Sequence, residues 1–597
     1  MSSSVTAAGD QLADFTRDKR IILLAAMALV IGGISALVAD ALVWLIAVIT
    51  NACYYGVYSP ILHSPSENHL GLYAVLIPIA GGLVIGFMAR YGSEKIRGHG
   101  IPEALEAILF GRSRMEPKVA FLKPVSSAIS IGTGGPFGAE GPIIMTGGAV
   151  GSLFGQMFHL SSAERKTLLV AGAAGGMSAI FATPIAAVFL AVELLLFEWK
   201  PRSIIPVAIA SLTAYACRVP LMGSGPVFAT TGHAMLGAEG LLFAFGVGIV
   251  AGLGSGLLTA LVYGFEDLFP KLKIHWMWWP AIAGLFIGVG GLIEPRVLGI
   301  GYDTIHSLLR GELIGAAVIG ILIGKALIWS LSLGSGTSGG VLAPLLMIGG
   351  AFGAIEAGLI PIGDAGLWAL VSMAAMMGGT MRSPLTAMIF AVELTQDYGV
   401  LPMILVACVA AYGVSVLLMR RSILTEKVAR RGYHINREYS IDPLVSTRVA
   451  EVMDPEATAI NASLSVAELA GMIAANNRSV TRHHGIPIID DQGKLVGIIT
   501  RGDIVKSLAE DPGGSRGVLE AGTGRPIVAY PDEVLHEAAT RMLHYNIGRL
   551  PVVQRADPTR LTGYLGRVHL LQARSRQLEE EHVRDRGWYG GKVKSGA

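Results

Sequence analysis

Gly132-Thr-Gly-Gly-Pro-Phe-Gly138-Ala-Glu140-Gly-Pro142-Ile-Ile-Met145-Thr-Gly147-Gly148-Ala149 recurs as Gly334-Ser-Gly-Thr-Ser-Gly-Gly340-Val-Leu342-Ala-Pro344-Leu-Leu-Met347-Ile-Gly349-Gly350-Ala351, at a constant offset of 202. A second block follows: Pro184-Ile-Ala-Ala187…Ala191-Val-Glu193-Leu194 matches Pro384-Leu-Thr-Ala387…Ala391-Val-Glu393-Leu394 at an offset of 200. Two collinear blocks with nearly equal offsets are hard to obtain by chance, even in apolar sequence. Glycine and proline interrupt long apolar runs in both copies. Repeats built on broken helices place a binding site where the broken ends meet.

The surroundings of the repeat are those of a membrane protein. Lys, Arg, Asp and Glu make up 15% of the 597 residues and apolar types 52%, where globular chains carry roughly 25% charged residues. The 77 glycines follow no collagen period and suit helices whose backbones approach closely. Charge-free windows such as Gly71–Ala89, Thr167–Val192, Gly240–Phe265, Ala326–Ile355 and Gly399–Met419 recur up to Met419; a bilayer core needs about 20 helical residues. About a dozen or more helical pieces are expected. This composition excludes a disordered protein, a secreted disulfide scaffold and an ordinary cytosolic enzyme. The net charge of +2 implies no nucleic-acid partner. Cys53, Cys217 and Cys408 have no metal or disulfide spacing and read as small core residues. After a segment 1–19, expected to be cytoplasmic, Ile21–Thr50 carries one charge, Asp40, and is too long for a signal-peptide core. It reads as a retained helix.

Past Met419 the character changes. Arg420, Arg421, Lys427, Arg430 and Arg431 form a basic collar that the positive-inside rule places in the cytoplasm, with everything after it. The expected organisation is a membrane domain over 20–431, a linker over 432–445, a soluble α/β pair over 446–577 and a disordered tail over 578–597. The soluble part repeats too. Gly485-Ile-Pro487-Ile-Ile-Asp490, a turn, and Leu495-Val-Gly-Ile-Ile-Thr500 recur as Arg549-Leu-Pro551-Val-Val and Leu561-Thr-Gly-Tyr-Leu-Gly566. Each hairpin follows an amphipathic helix, near Val466–Asn477 and Val534–Asn546, the first opened by a Ser465–Glu468 capping box.

Three membrane segments share one grammar of glycines, a proline and a helix-forming run: Gly98-His99-Gly100-Ile101-Pro102, Gly138-Ala139-Glu140-Gly141-Pro142 and Gly339-Gly340-Val341-Leu342-Ala343-Pro344. Proline suits a helix's first turn, and a helix N-terminus offers unpaired N–H groups and about half a positive charge. Three such ends together would hold a small anion without a full positive charge that would trap it. Taken singly, each segment reads as close helix packing. Glu140 is the one carboxylate within them, and an intramembrane acid marks function unless it merely favours a helix start. His99 reads either as a titratable anion ligand or as a packed neutral imidazole.

These segments resemble the anion-filter motifs of the ClC chloride channel and transporter family, and the trailing pair resembles cystathionine-β-synthase (CBS) domains. The resemblance implies a polytopic helical fold of two antiparallel halves plus a cytoplasmic α/β CBS pair. It implies a homodimer in a plasma (inner) membrane, with one anion pathway per subunit. The filter would comprise His99, Gly100, Ile101, Pro102, Gly138, Gly141, Pro142, Gly340, Val341 and Leu342, with Glu140 as gate and chloride or another small anion as cargo. Departures are specific: His99 stands for a serine, Ala139 for a Lys or Arg, Leu342 for a phenylalanine, and Leu424 in Ser422-Ile-Leu-Thr425 for the pore tyrosine. Of two consecutive acids in the family's exchangers the second is the inner proton relay, and Leu194 stands in its place, so passive or weakly coupled movement is expected, with H+/Cl− exchange as the alternative.

In the soluble part, Thr500-Arg501-Gly502-Asp503 resembles the CBS nucleotide motif, with Asp503 on ribose and Thr500 and Arg501 near phosphate. Asp503 as a simple helix cap is the plainer reading. Gly566-Arg567-Val568-His569 stands in the matching place without hydroxyl or acid, so at most one adenine-nucleotide site is expected and no cofactor is required. A CBS-regulated cation transporter would need clustered intramembrane acids, and Glu140 is isolated. A membrane enzyme would need a nucleophile–base pair or metal set, and His159, His275 and His306 are scattered. Neither an enzyme nor a metal site is expected.

Overall fold

Proline and glycine decide where the helices begin. In this computed structural model, which describes residues 20–230, 232–433, 444, 447–573 and 584–585, prolines occupy the first turns of helices starting at Ile101, Pro117, Pro184, Pro201, Pro384 and Leu401. A missing N–H costs nothing there. Two compact units result, one of residues 1–433 together with 583–597 and one of residues 434–582.

The first unit contains α1 (Arg20–Tyr55), α2 (Leu76–Tyr91), α3 (Ile101–Leu109), α4 (Pro117–Gly132), α5 (Glu140–Gln156), β1 (Leu160–Ser161), α6 (Ser162–Phe181) and α7 (Pro184–Leu190). A π-helical turn, Ala191–Leu196, extends α7, and α8 (Pro201–Met222) closes the first half. The second half runs through α9 (Gly237–Leu268), α10 (Trp279–Ile293), α11 (Tyr302–Leu309), α12 (Ala316–Gly334), α13 (Leu342–Glu356), α14 (Ala365–Met381), α15 (Pro384–Thr395) and α16 (Leu401–Leu418), followed by α17 (Ile423–Arg430). Among the described residues, seven helices are long and apolar enough to cross a membrane, and shorter apolar helices lie between them.

The halves are copies in three dimensions. α1 packs on α6 and α8, as α9 packs on α14 and α16. Ala182 and Arg382 end α6 and α14 in the same left-handed conformation. At the junction the contacts are reciprocal. Gly138 and Gly340 form an antiparallel bridge, with Gly340 N–H donating to Gly138 O at 2.8 Å. Gly98 N–H donates to Gly336 O (3.3 Å), and its counterpart Gly299 N–H donates to Gly134 O (3.0 Å). Glu193 accepts from the N–H groups of Leu385 (3.3 Å) and Thr386 (2.8 Å) at the start of α15. Glu393 accepts from those of Ile185 (3.0 Å) and Ala186 (2.8 Å) at the start of α7. Each half therefore caps the other's broken helix, and only a local two-fold, antiparallel arrangement makes every contact mutual. Within the first half, α5 and α6 also approach closely on glycine: a Cβ on Gly147 would meet Gly172 O, and one on Gly172 would meet Gly147 O.

The second unit holds two similar pieces. In the first, β2 (Ile460–Asn461), β3 (Gly485–Ile489), β4 (Leu495–Thr500) and β5 (Thr523–Gly524) form one sheet in that order, with α18 (Val466–Ala474) and α19 (Arg501–Glu510). In the second, α20 (Leu535–His544) precedes the hairpin β6 (Arg549–Val553)–β7 (Leu561–Gly566). Both hairpins shift register near the end of their first strand, at Ile488/Ile489 and Val552/Val553. The Ser465–Glu468 box closes as expected, with Ser465 N–H to Glu468 Oε2 at 2.8 Å and Glu468 N–H to Ser465 Oγ at 3.2 Å.

Segment 1–19 lies outside the described residues, as do all of the 432–445 linker but Gly432, Tyr433 and Leu444, and most of 578–597. Within that last segment, expected to lack structure, β8 (Arg584–Asp585) pairs antiparallel with β1. Main-chain pairing needs no apolar side-chain pattern, so composition gives no sign of it.

The crossed caps generate a prediction. Glu193→Ala should strip acceptors from the first turn of α15 and lower stability by about 1–2 kcal/mol, whereas Glu193→Gln keeps one acceptor and loses less. Thermal unfolding of the purified protein in detergent checks this; an unchanged midpoint for the alanine variant refutes the crossed-cap account.

Candidate functional site

The three glycine–proline segments meet at the junction of the halves. A Cβ built on Gly141 would run into His99 O and lie 3.3 Å from Gly340 Cα; one on Gly340 would lie 2.5 Å from Gly138 O. The N-termini of α3, α5 and α13 thus converge on one spot, where their exposed amides and dipoles favour negative charge. His99, Gly100, Ile101, Pro102, Gly138, Gly141, Pro142, Gly340, Val341 and Leu342 are all buried there. Gly100 adopts φ +91°, open to glycine at little cost.

Glu140 heads α5 and is fully buried. Its Oε1 accepts the Ala343 N–H of α13 at 2.9 Å. Its Oε2 has no hydrogen-bond partner among the described residues and lies against Gly138 and Gly340. The carboxylate therefore occupies the kind of place that the amides offer to an anion. His99 is also buried, with Nδ1 unpartnered among the described residues.

Leu424 stands on a separate element. It is buried on α17, which packs on α3, and Ser422 Oγ accepts the Thr425 N–H to start that helix (3.3 Å). Ion pairs tie α17 and its end to α3: Glu103 with Lys427 (3.5 Å) and Arg431 (2.9 Å), and Glu106 with Arg431 (2.5 Å). A cavity of about 740 Å³ opens there, its wall including Arg97, Glu103, Lys427, Arg430, Arg431 and Tyr433.

Sequence reasoning missed two residues, Lys123 and Lys325, both fully buried. Lys123 Nζ donates to Ile96 O (2.8 Å) and Gly98 O (2.6 Å). Lys325 Nζ donates to Val297 O (2.9 Å) and Gly299 O (2.9 Å). The signal was present, since the lysines share the offset of 202, and Gly98-His99-Gly100 matches Gly299-Ile300-Gly301 at 201. The second half thus carries its own copy of the first filter segment, leading into Tyr302.

In the second unit, Thr500 and Asp503 bond to each other. Thr500 N–H and Oγ1–H donate to Asp503 Oδ2 (2.8 and 2.7 Å), and Asp503 N–H returns to Thr500 Oγ1 (3.3 Å). The cap reading of Asp503 is realised, with Oδ1 unpartnered among the described residues. Arg501 is exposed at the start of α19. The equivalent box in the second piece uses an imidazole: Gly566 N–H donates to His569 Nδ1 at 2.8 Å. His483 stacks on Tyr564 at 4.1 Å and has Nε2 3.3 Å from Asp454. Burial holds the imidazoles of His483 and His569 below their ordinary range. Among the described residues no cluster of three or more His, Cys, Asp or Glu is placed to hold a metal.

Residues 81–416, more than half of the chain, match the family described as voltage gated chloride channel. The chain belongs to that family. Residues 449–510 and 521–576 each match the CBS domain. A putative ClcB-like chloride channel protein of Ralstonia nicotianae is 28% identical over 57% of this chain and 81% of its own length. The voltage-gated ClC-type chloride channel ClcB of Salmonella typhimurium is 30% identical over 60% of this chain and 87% of its own. Among solved structures, a slow cyanobacterial Cl−/H+ antiporter aligns with TM-score 0.62 and 22% identity, covering 68% of this chain and 97% of that one. A eukaryotic CLC transporter aligns with TM-score 0.61 and 19% identity over 92% and 98%. The fold is that of the ClC proteins, with a C-terminal CBS pair, in a multi-pass membrane protein of a channel and transporter family rather than an enzyme family.

Proposed function

We propose that this ClC protein conducts chloride or a similar small anion through the point where the three helix N-termini meet, with Glu140 as the gate. The observation that carries this reading is the buried Glu140 carboxylate on the Ala343 N–H: a negatively charged group already sits where the anion would pass. Protonation removes its charge and its claim on that amide, and the anion takes its place. His99 supplies a side-chain N–H to the anion in place of a hydroxyl; its unpartnered buried nitrogen supports this. All these groups come from one chain, which supports one pathway per subunit of a homodimer. The basic collar from Arg420 to Arg431 supports cytoplasmic termini in the plasma (inner) membrane, and the cavity beside α17 then serves as the cytoplasmic approach.

Movement is passive or weakly proton-coupled. Leu194 is fully buried and has no titratable group. The neighbouring acid, Glu193, is committed to the α15 amides and to Thr386 Oγ1 (2.6 Å), which disfavours it as a proton relay. Leu424 cannot offer an anion the hydroxyl of a pore tyrosine. The competing reading, H+/Cl− exchange, is favoured by the retained Glu140 and by the antiporter activity of the cyanobacterial structural neighbour. The CBS pair regulates the pathway, with an adenine nucleotide held by Thr500, Arg501 and Asp503.

Three measurements test this. Glu140→Gln should raise chloride flux in proteoliposomes and flatten its pH dependence; a profile that overlays the unmutated protein makes Glu140 only a helix-start acid. With voltage clamped near zero and a pH dye inside, an imposed chloride gradient should drive no sustained uphill proton movement. Such movement, abolished by Glu140→Gln, would establish an exchanger. Finally, Asp503→Ala in the full-length protein should weaken ATP or AMP binding about ten-fold; calorimetry finding no binding by the unmutated protein at millimolar nucleotide would leave the pair as a structural clamp.

A further inference from the structure

Arg97 stands one residue ahead of the first filter segment, and its guanidinium is left with donors to spare. The Arg97 backbone N–H donates to Glu94 O (3.1 Å), closing the short turn Glu94–Ile96. The guanidinium carbon lies over Trp276 and Trp279, 4.5 and 5.7 Å from the two ring centroids. A cation held against an indole face consumes no N–H donor. Arg97 Nε is buried and has no hydrogen-bond partner among the described residues. A buried donor without an acceptor is costly, so the place favours an acceptor from outside the protein.

The repeat shows that packing alone does not call for this charge. At the offset of 201 that aligns Gly98 with Gly299, Arg97 corresponds to Leu298. The two side chains cover equivalent glycines. Gly98 N–H reaches Gly336 O, and Gly299 N–H reaches Gly134 O. A Cβ on Gly336 would lie 2.9 Å from Arg97 Nε and Nη2, and one on Gly134 would lie 3.6 Å from Leu298 Cδ2. A buried leucine fills the place in one half; the other half puts a guanidinium there.

That guanidinium belongs to the wall of the cavity beside α17, as does Gly336. Other charges of the wall are matched in pairs: Lys427 and Arg431 with Glu103, Arg430 with Asp267 (2.5 Å), and Lys95 with Glu116 (2.7 Å). Lys427 also approaches the filter, since a Cβ on Gly98 would meet its Nζ, but it is committed to Glu103. Glu94 and Glu266 line the cavity too, and neither forms an ion pair with Arg97 among the described residues. We infer that Arg97 is a docking group for the permeating anion at the cavity end of the first filter segment, donating N–H to chloride or a similar small anion before it passes between the helix ends. The role in transport rests on the conduction reading; the anion site itself does not. A full charge inside the filter would hold the anion too firmly. At the wall of a cavity wide enough for water the attraction is screened, so the ion is gathered and then released inward.

Two measurements on the full-length protein test this. Arg97→Leu copies the residue of the other half, which keeps the packing and removes the charge, and Arg97→Gln keeps an N–H donor without the charge. In planar bilayers with chloride varied on one side at a time, each should raise the chloride concentration for half-maximal flux about five-fold. The rise should appear on the cavity side only and the loss of flux should fade as chloride is raised, while Arg97→Lys restores most of the affinity. Crystals of the unmutated protein in bromide should show anomalous density within hydrogen-bonding reach of Arg97 that is missing from the Arg97→Leu protein. Half-saturation unchanged in both neutral variants, or changed equally on both sides, overturns the inference, as does the absence of bromide at Arg97 in the unmutated protein. Bromide bound at Arg97 in a protein that passes no chloride upholds the anion site and overturns the conduction reading instead.

Discussion

A single antiparallel bridge, Gly138 to Gly340, is the constraint from which the rest of the membrane unit follows. Two polar backbone segments at membrane depth must find hydrogen-bond partners within the protein, and each finds them in the other. The bridge fixes where α5 and α13 begin. The paired bonds from Gly98 to Gly336 and from Gly299 to Gly134 then carry the same symmetry to α3 and α11. Glycine is needed at the crossing because the Glu140 carboxylate and the opposite carbonyl fill the room a side chain would take. Breaking helices exposes amides, and gathering the broken ends at one symmetry element turns that structural cost into an anion-favouring place.

Symmetry of the backbone and asymmetry of the side chains do separate work. The frame repeats faithfully: lysine on lysine, crossed glutamate caps, matching left-handed helix ends. Function then depends on where the copies differ. Glu140 corresponds to Leu342 in the repeat, His99 to Ile300, and Ile101 to Tyr302. A carboxylate in both copies would place two negative charges against one another in a low dielectric, where repulsion forces one to protonate. One acid at the junction avoids that repulsion, and the helix start opposite offers it the Ala343 N–H.

Much of this was legible in the letters because the deciding features are backbone features, and glycine and proline report the backbone. The offset of 202 revealed two halves, and proline after glycine revealed the helix starts that gather the filter. In the soluble unit the alternating strands and the Ser465–Glu468 box marked the hairpins and helices correctly, since local chemistry governs them. The antiparallel sense of the halves, which followed only from family resemblance, is now visible in the reciprocal bonds of Glu193 and Glu393. Buried lysines remained unread because a charge inside an apolar run looks like a helix end until its carbonyl partners, more than twenty residues away, are known. The Arg584–Asp585 strand was invisible for a related reason: main-chain bonds are indifferent to side-chain type.

The CBS pair repeats the membrane unit's logic at smaller scale. Thr500–Asp503 and Gly566–His569 close the same first turn of a helix with different acceptors, a carboxylate in one and an imidazole nitrogen in the other. A carboxylate in that place keeps an oxygen for a ribose hydroxyl. A neutral imidazole has spent its only acceptor on the Gly566 N–H, so the second turn is occupied by its own cap. The duplication has therefore kept one backbone turn and changed the side chain that closes it. The membrane halves differ in the same way: one contributes the acid, and the other contributes the amide N–H that it binds.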